Sequence, residues 1–128
     1  MTEMTKSFKE LEAWKKAHEF VLSIYKITES FPKNEIFGLT SQFRRAAVSI
    51  ASNIAEGYRK HGKADKLRFY NIAQGSQEEC SYYVILSKDL QYISETDFNK
   101  LSNLLNNASK LLNNYYKAIL DSKIIKSN

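Results

Sequence analysis

Hydrophobic residues recur at steps of three and four along most of the chain, which is the repeat of an amphipathic α-helix. The first such stretch follows Ser7-Phe8-Lys9-Glu10, whose order is typical of an N-terminal capping box, and it continues from Leu11 to Tyr25. It stops at Phe31-Pro32, because the residue before a proline is pushed out of helical geometry. The pattern predicts a first helix over roughly residues 8–30.

Three further stretches have the same repeat. They predict helices over roughly residues 36–60, 64–93 and 96–120, with His61-Gly62 breaking the chain between the second and the third. No stretch alternates like a strand, and we find no internal repeat or low-complexity linker. Amphipathic helices joined by short connections favour an all-α antiparallel bundle. We therefore predict one domain over residues 1–128, an up-down-up-down four-helix bundle.

A narrow line of polar side chains runs along the second predicted helix, beside its apolar face. At about 100° per residue, its members share an arc of about 80°; they are Gln42, Arg45, Ser49, Asn53 and Glu56. A solvated helix face would tolerate this pattern. Serine and asparagine compete with the helix backbone, however, and suit a close contact between helices better. We interpret the line as a structural seam against the third helix.

Antiparallel pairing about the His61-Gly62 break places Gly75 and Glu79 of the third helix level with this seam. A glycine in mid-helix costs about 1 kcal/mol relative to alanine, so we expect a close backbone approach at Gly75. We also expect an ion pair between Glu79 and one of Arg44 and Arg45, with Arg45 preferred. Such a pair would set the helix register more than it would add stability.

The third predicted helix is apolar nearly all round, and residues 80–87 carry no charge. Apolar side chains fall on opposite sides of it: Leu67, Tyr82 and Ile85 on one, Phe69, Cys80 and Tyr83 on the other. A helix of this kind must be buried on more than one side. We therefore expect a homo-oligomer in which the surplus apolar face meets another copy. An exposed tyrosine-rich face is the alternative.

Composition is ordinary for a globular protein, with 43% hydrophobic and 26% charged residues, but the net charge of +5 is localised. The whole excess lies in residues 44–68, because the basic and acidic residues on either side cancel. A localised excess favours a polyanion partner over the same charge scattered, although a solvated basic surface is the alternative. The candidate nucleic-acid-binding residues are Arg44, Arg59, Lys60, Lys63, Lys66 and Arg68.

Residue patterns that support catalysis or metal binding are missing from the sequence. The positions three before His18 and His61 hold Lys15 and Tyr58, so no Glu-x-x-His pair of a di-metal bundle exists. Glycine-rich phosphate loops and nucleophile elbows are also absent. We expect no enzymatic activity, no metal and no cofactor.

Three features of the sequence bear on localisation. It contains a single cysteine, no apparent signal peptide and no membrane-spanning run. We therefore expect a cytoplasmic protein without a membrane partner.

Several stretches together resemble the family of bacterial 23S rRNA intervening-sequence proteins, which is related to the accessory proteins of diversity-generating retroelements. The matching stretches are LEAW (11–14), FPKNEIFGLTSQFRRAA (31–47), SIASNIAEG (49–57) and IAQGSQEE (72–79). The resemblance implies an up-down four-helix bundle, often a homopentameric ring, and a loose association with ribosomal RNA intervening sequences. Its retroelement relatives look like basic barrels that bind nucleic acid and a reverse transcriptase. Gln77 departs from the family, which often has an apolar residue after Gly-Ser.

Two functional hypotheses remain open. In the first, the homo-oligomer binds RNA or DNA nonspecifically through the basic residues around the turn between the second and third helices. In the second, it is an assembly scaffold for a protein partner, with no role in nucleic-acid binding.

Overall fold

The computed structural model describes residues 6–122. Four α-helices account for most of this part of the chain: α1 (Glu12–Ile27), α2 (Leu39–Arg59), α3 (Lys63–Asp89) and α4 (Glu95–Asp121). Short 3-10 turns lie at Phe8–Glu10, Thr28–Ser30 and Lys33–Glu35. Each helix packs against its neighbours in sequence, and α4 returns to α1. The predicted all-α bundle is confirmed.

The start of α1 differs from the prediction. The Ser7 hydroxyl accepts a hydrogen bond from the Lys9 amide and caps a 3-10 turn rather than an α-helix. Leu11 is then extended, at φ −74° and ψ 129°, so that α1 begins only at Glu12. The Glu10 carboxylate accepts from the Lys6 amide at 3.1 Å and not from Ser7. The reciprocal capping box is therefore wrong.

The end of α3 also falls earlier than predicted. Gln91 adopts a left-handed conformation, with φ 65°, which ends the helix without a glycine. The Tyr92 amide donates to the Ser87 carbonyl at 2.8 Å, and the Gln91 amide donates to the Lys88 carbonyl at 2.9 Å. These two bonds form a Schellman-type ending that satisfies the last carbonyls of α3.

The core lies along the axis of the bundle, and α2 supplies its largest continuous face. The buried apolar residues of α2 are Leu39, Phe43, Ala46, Ala47, Ile50, Ala51 and Ile54. All seven are positions that the helical repeat points inward. Tyr58, which the same repeat also places inside, is only partly buried. Each large apolar side chain buried in this way contributes about 1.5–3 kcal/mol relative to exposure.

The connection from α1 to α2 forms a braced elbow. One oxygen of the Glu35 carboxylate accepts from the Leu39 amide at 3.0 Å, and the other accepts from the Tyr92 hydroxyl at 2.8 Å. The rings of Phe31 and Tyr92 lie 5.2 Å apart. The loop between α3 and α4 therefore holds the elbow in place.

Within residues 6–122, no helix combines the length and the apolar character that a membrane-spanning helix needs.

Candidate nucleic-acid interface

The turn between α2 and α3 is fixed by a close contact between the two helices. Gly57 is buried in the last turn of α2 and faces the ring of Tyr70, which is fully buried in α3. A Cβ atom at Gly57 would lie only 2.5 Å from Cε1 of that ring. The two helices can therefore approach this closely only because residue 57 has no side chain.

Two of the six candidate basic residues hold helix ends together. The Lys66 ammonium donates to the carbonyls of Gly57 at 3.2 Å and Tyr58 at 2.8 Å, and burial lowers the pKa of Lys66. The Lys63 ammonium donates to the Ser122 carbonyl, at the end of α4, at 2.8 Å. A cation at a helix C-terminus satisfies exposed carbonyls and complements the helix dipole. The ammonium groups of Lys63 and Lys66 thus stabilise the fold by binding carbonyls at helix ends.

Three other candidates form the outer surface of the turn, which we call the basic turn: Arg59, Lys60 and Arg68. The Lys60 ammonium lies 5.1 Å from the centre of the Phe69 ring, and the Arg68 guanidinium lies 4.5 Å from it. Arg59 contacts Nε2 of His61 at 3.1 Å. The 3.6 Å pair between Arg68 and Asp65 is largely exposed, and pairs of this kind contribute little.

The remaining candidate, Arg44, is not part of this surface. It precedes Arg59 by 15 residues of the same helix, or about 22 Å along the axis at about 1.5 Å per residue. Its guanidinium Nε donates to the Thr28 hydroxyl at 2.8 Å, and Nη2 donates to the Tyr25 carbonyl at 3.3 Å. Arg44 therefore lies near the opposite end of the bundle, against the end of α1.

The predicted polar seam reaches α3 only at its centre. The Ser76 hydroxyl donates to the Ser49 hydroxyl at 2.7 Å, and the Asn53 amide donates to the Ser49 hydroxyl and carbonyl at 3.0 and 2.8 Å. The other members of the line, Gln42, Arg45 and Glu56, are exposed. Ser49 thus links α2 to α3 and Asn53 supports it from within α2, whereas the long side chains extend into solvent.

Two expectations about the seam are wrong. Apart from the backbone of α3 and the chain neighbours of Gly75, no atom of residues 6–122 lies within 4 Å of the position that a Cβ at Gly75 would take, so the close approach of α2 and α3 is at Gly57 instead. The Glu79 carboxylate accepts from the Tyr83 hydroxyl at 2.8 Å, and among residues 6–122 it pairs with neither Arg44 nor Arg45. The reason is positional: Arg44 turns towards α1, and Arg45 is exposed.

The propensity argument that points to Gly75 applies equally to Gly57. Each glycine lies within an otherwise regular helix, where it costs about 1 kcal/mol relative to alanine. Counting from the His61-Gly62 break does not pair Gly57 with Tyr70, because Gly57 lies four to five residues before the break and Tyr70 lies eight to nine after it. Sequence reasoning alone could not choose between the two glycines.

The described side chains include no group of three or more His, Cys, Asp and Glu residues that could hold a metal ion. Cys80 is buried, and burial together with the nearby Glu79 raises the pKa of its thiol far above the ordinary value. The thiol form is therefore favoured over the nucleophilic thiolate.

Comparison with known proteins places this fold. A search of the solved structures finds a crystal structure of a protein with unknown function from the S23 ribosomal protein family of Bacteroides thetaiotaomicron VPI-5482. It is 25% identical, has a TM-score of 0.76, and the match covers 82% of this chain and 95% of that one. A search of the curated proteins finds no match. The sequence model of the family described as 23S rRNA-intervening sequence protein matches residues 9–114 of this chain. The chain belongs to the 23S rRNA-intervening sequence protein family.

Proposed function

We propose that the protein binds RNA or DNA without sequence specificity through the basic turn, and that it has no catalytic role. The observation that carries the proposal is the grouping of Lys60 and Arg68 around one exposed corner, both against the ring of Phe69, with Arg59 beside them. A cluster of cations of this kind suits the phosphate backbone of a nucleic acid, which is a polyanion. The name of the family, which refers to 23S rRNA, supports a nucleic acid as the partner, and we place this binding in the cytoplasm.

Salt dependence provides a quantitative expectation. Each neutralised phosphate contributes about −0.7 to −0.9 to the slope of log binding constant against log salt, so three cations predict about −2 to −3 per protomer. The slope should be reduced towards zero when the basic turn is removed. A slope that stays the same would mean that other residues make the phosphate contacts.

The test reverses the charge of the basic turn without changing the two lysines that bind helix carbonyls. We choose Arg59→Glu, Lys60→Glu and Arg68→Glu together, and leave Lys63 and Lys66 unchanged because they bind helix carbonyls. The control reverses three exposed lysines elsewhere, with the same change in net charge: Lys26→Glu, Lys100→Glu and Lys110→Glu.

Binding of labelled single-stranded RNA and duplex DNA is measured by fluorescence anisotropy at about 50 mM salt, where phosphate contacts are strong. We expect the wild type and the control variant to bind and the basic-turn variant to lose binding. Undetectable binding by the wild type, or equal losses in both variants, would refute the proposal.

The second candidate is homo-oligomeric assembly, which the outer face of α3 favours. Ile72 and Tyr82 on this face are 43% and 56% exposed, and Gly75 lies between them with open space beside it. Since no described residue packs against a Cβ position at Gly75, its cost of about 1 kcal/mol in a helix is unexplained by residues 6–122 of one protomer. We propose that a second copy packs closely here, in a ring that the family resemblance suggests is a pentamer.

Native mass spectrometry tests this assembly. Ile72→Asp and Tyr82→Asp should each dissociate the oligomer, whereas Leu120→Asp, at a similarly exposed position on α4, should leave it intact. If both α3 variants keep the oligomer mass of the wild type, the contact lies elsewhere.

The alternative function, a scaffold for a protein partner, predicts a different result. A protein partner should stay bound after nuclease treatment, and the basic-turn variant should bind it as well as the wild type does.

A further inference from the structure

A cavity of about 390 Å³ lies at the elbow between α1 and α2, away from the basic turn. Its apolar wall is formed by Phe31, Pro32 and Ile36. Its polar groups come from Thr28, Glu29, Lys33, Thr40 and Arg44. This combination, a mostly apolar cleft with a few fixed polar atoms, is typical of small-molecule sites, and its volume is within their range.

Arg44 is held rigidly but has no acidic partner. The Thr28 hydroxyl accepts from its Nε at 2.8 Å and in turn donates to the Ile24 carbonyl at 2.7 Å, so the acceptor is itself anchored. The guanidinium carbon lies 4.7 Å above the ring of Tyr25. Across the described chain Arg44 makes no ion pair with a carboxylate.

The remaining hydrogen-bonding capacity of Arg44 is therefore unused. A guanidinium carries five N–H donors in a planar fork, and the structure accounts for one on Nε and one on Nη2. The remaining fork can bind two oxygens of one carboxylate at once, which a lysine could not reproduce. Because the side chain is already positioned, binding would not have to order it.

Thr40 supplies a second polar group beside Arg44. The residue is 3% exposed and lines the same cavity. Its hydroxyl is a hydrogen-bond donor that an oxygen of a bound molecule can use.

The wall of the cavity is preformed. Glu35 binds the Leu39 amide and the Tyr92 hydroxyl, and Tyr92 packs against Phe31. A Cβ at Gly38 would lie 2.7 Å from the Glu35 carboxylate, so this geometry also depends on glycine at position 38. The elbow is consequently held in one conformation by contacts from the α3–α4 loop.

We propose that this cavity binds a small organic carboxylate with an apolar body. Arg44 would bind the carboxylate, the Thr40 hydroxyl would donate to one of its oxygens, and the apolar body would lie against Phe31 and Ile36. A single negative charge fits better than a phosphate dianion, because the cations Arg44 and Lys33 and the anion Glu29 give the lining a net charge of +1. The site is independent of nucleic-acid binding.

Isothermal titration of the full chain with phenylacetate and hexanoate tests the proposal, with phenylacetamide and inorganic phosphate as the comparison ligands. We expect saturable binding of both carboxylates and at least several-fold weaker binding of the amide and of phosphate. Binding of the amide as tight as that of the acid, or a preference for phosphate, would overturn the ligand class. A lack of any saturable carboxylate binding would overturn the site.

Variants locate the binding. Arg44→Lys keeps the charge but loses the fork, so affinity for phenylacetate should fall about tenfold. Thr40→Val should weaken it about threefold through loss of one neutral hydrogen bond. Arg45→Gln, at the exposed neighbouring position, should have no effect. If Arg44→Lys unfolds the protein, Thr40→Val decides: unchanged affinity in that variant would contradict the proposal.

Discussion

Replacing Gly57 with alanine should destabilise the protein, although alanine is the better helix former. In an open helix position the change would add up to about 1 kcal/mol of stability. Here the new Cβ would lie 2.5, 2.9 and 3.0 Å from three atoms of the Tyr70 ring. Carbon atoms prefer separations of about 3.5–4.0 Å, so the ring or the helix must move by about 1 Å.

The ring of Tyr70 has little room to move. It is fully buried, and it packs against Tyr115 with 5.2 Å between ring centres. Overpacking of a filled core costs about 1–3 kcal/mol, and a contact at 2.5 Å calls for the upper part of that range, about 2–3 kcal/mol. After the gain of about 1 kcal/mol in helix propensity is subtracted, we expect a net loss of about 1–2 kcal/mol. For a chain of this size, that corresponds to a decrease in melting temperature of roughly 3–10 °C.

Urea and thermal denaturation, followed by circular dichroism, measure this loss. The matched control is Gly62→Ala: apart from its chain neighbours, no described residue has an atom within 4 Å of its Cβ position, and its φ of −80° suits alanine. Gly62 is the N-cap of α3, where glycine is preferred to alanine, so the control should lose about 0.5–1 kcal/mol, which is less than the loss expected for Gly57→Ala. All variants are compared at one protein concentration, since association would shift the apparent stability.

A second background tests the cause of the loss. In Tyr70→Leu the ring is gone, so the further change Gly57→Ala should no longer destabilise the protein. If Gly57→Ala is as mild as Gly62→Ala in the wild-type background, the close contact does not limit the packing of α2 against α3. A loss that persists in Tyr70→Leu would assign the cost to some other neighbour.

Three further predictions concern buried or paired polar groups. Gln77 is buried and its Nε2 has no partner in the described range, so Gln77→Leu should raise the free energy of unfolding by about 1 kcal/mol; a decrease in urea stability would contradict this. Lys66→Met removes the charged donor at the end of α2 and should lower the free energy of unfolding by about 1–2 kcal/mol, whereas Lys60→Met should change it by less than about 0.5 kcal/mol; equal effects would refute the capping role. Hydrogen bonds from the Leu39 amide and the Tyr92 hydroxyl lower the pKa of Glu35. The stability from Glu35 is therefore present above its unfolded-state pKa and is lost as pH falls through the lower folded-state pKa, and the difference in stability between wild type and Glu35→Gln should shrink over that interval. A difference that is constant with pH would show that Glu35 does not titrate as the structure implies.

The helices and their buried faces could be predicted because helical periodicity is a local property of the sequence. Phe43, Ile50 and Ile54 lie at helical spacing, and all three are fully buried. The helix ends were less predictable. Leu11 is extended and Gln91 is left-handed, although neither residue type marks a break as glycine or proline would.

The charge excess was also visible in the sequence, but the role of each cation was not. Lys63 binds the carbonyl of Ser122, which is 59 residues away, and Arg44 binds the end of α1. These partners come near only when the four helices pack together. The cations of this one basic segment therefore have three different roles in the folded protein. Lys63 and Lys66 bind helix carbonyls, the basic turn is exposed, and Arg44 lines a cavity.

Helical periodicity is enough to predict the four helices and the buried face of α2. The register between α2 and α3, which pairs Ser49 with Ser76 and Gly57 with Tyr70, is set by the packing of the four helices and not by the periodicity. Each residue along a helix turns the side-chain direction by about 100°. An error of one or two residues in the assumed position of the turn therefore changes which side chains face each other. For this reason Arg45 and Glu79 form no ion pair, although counting residues from the turn places them at the same height.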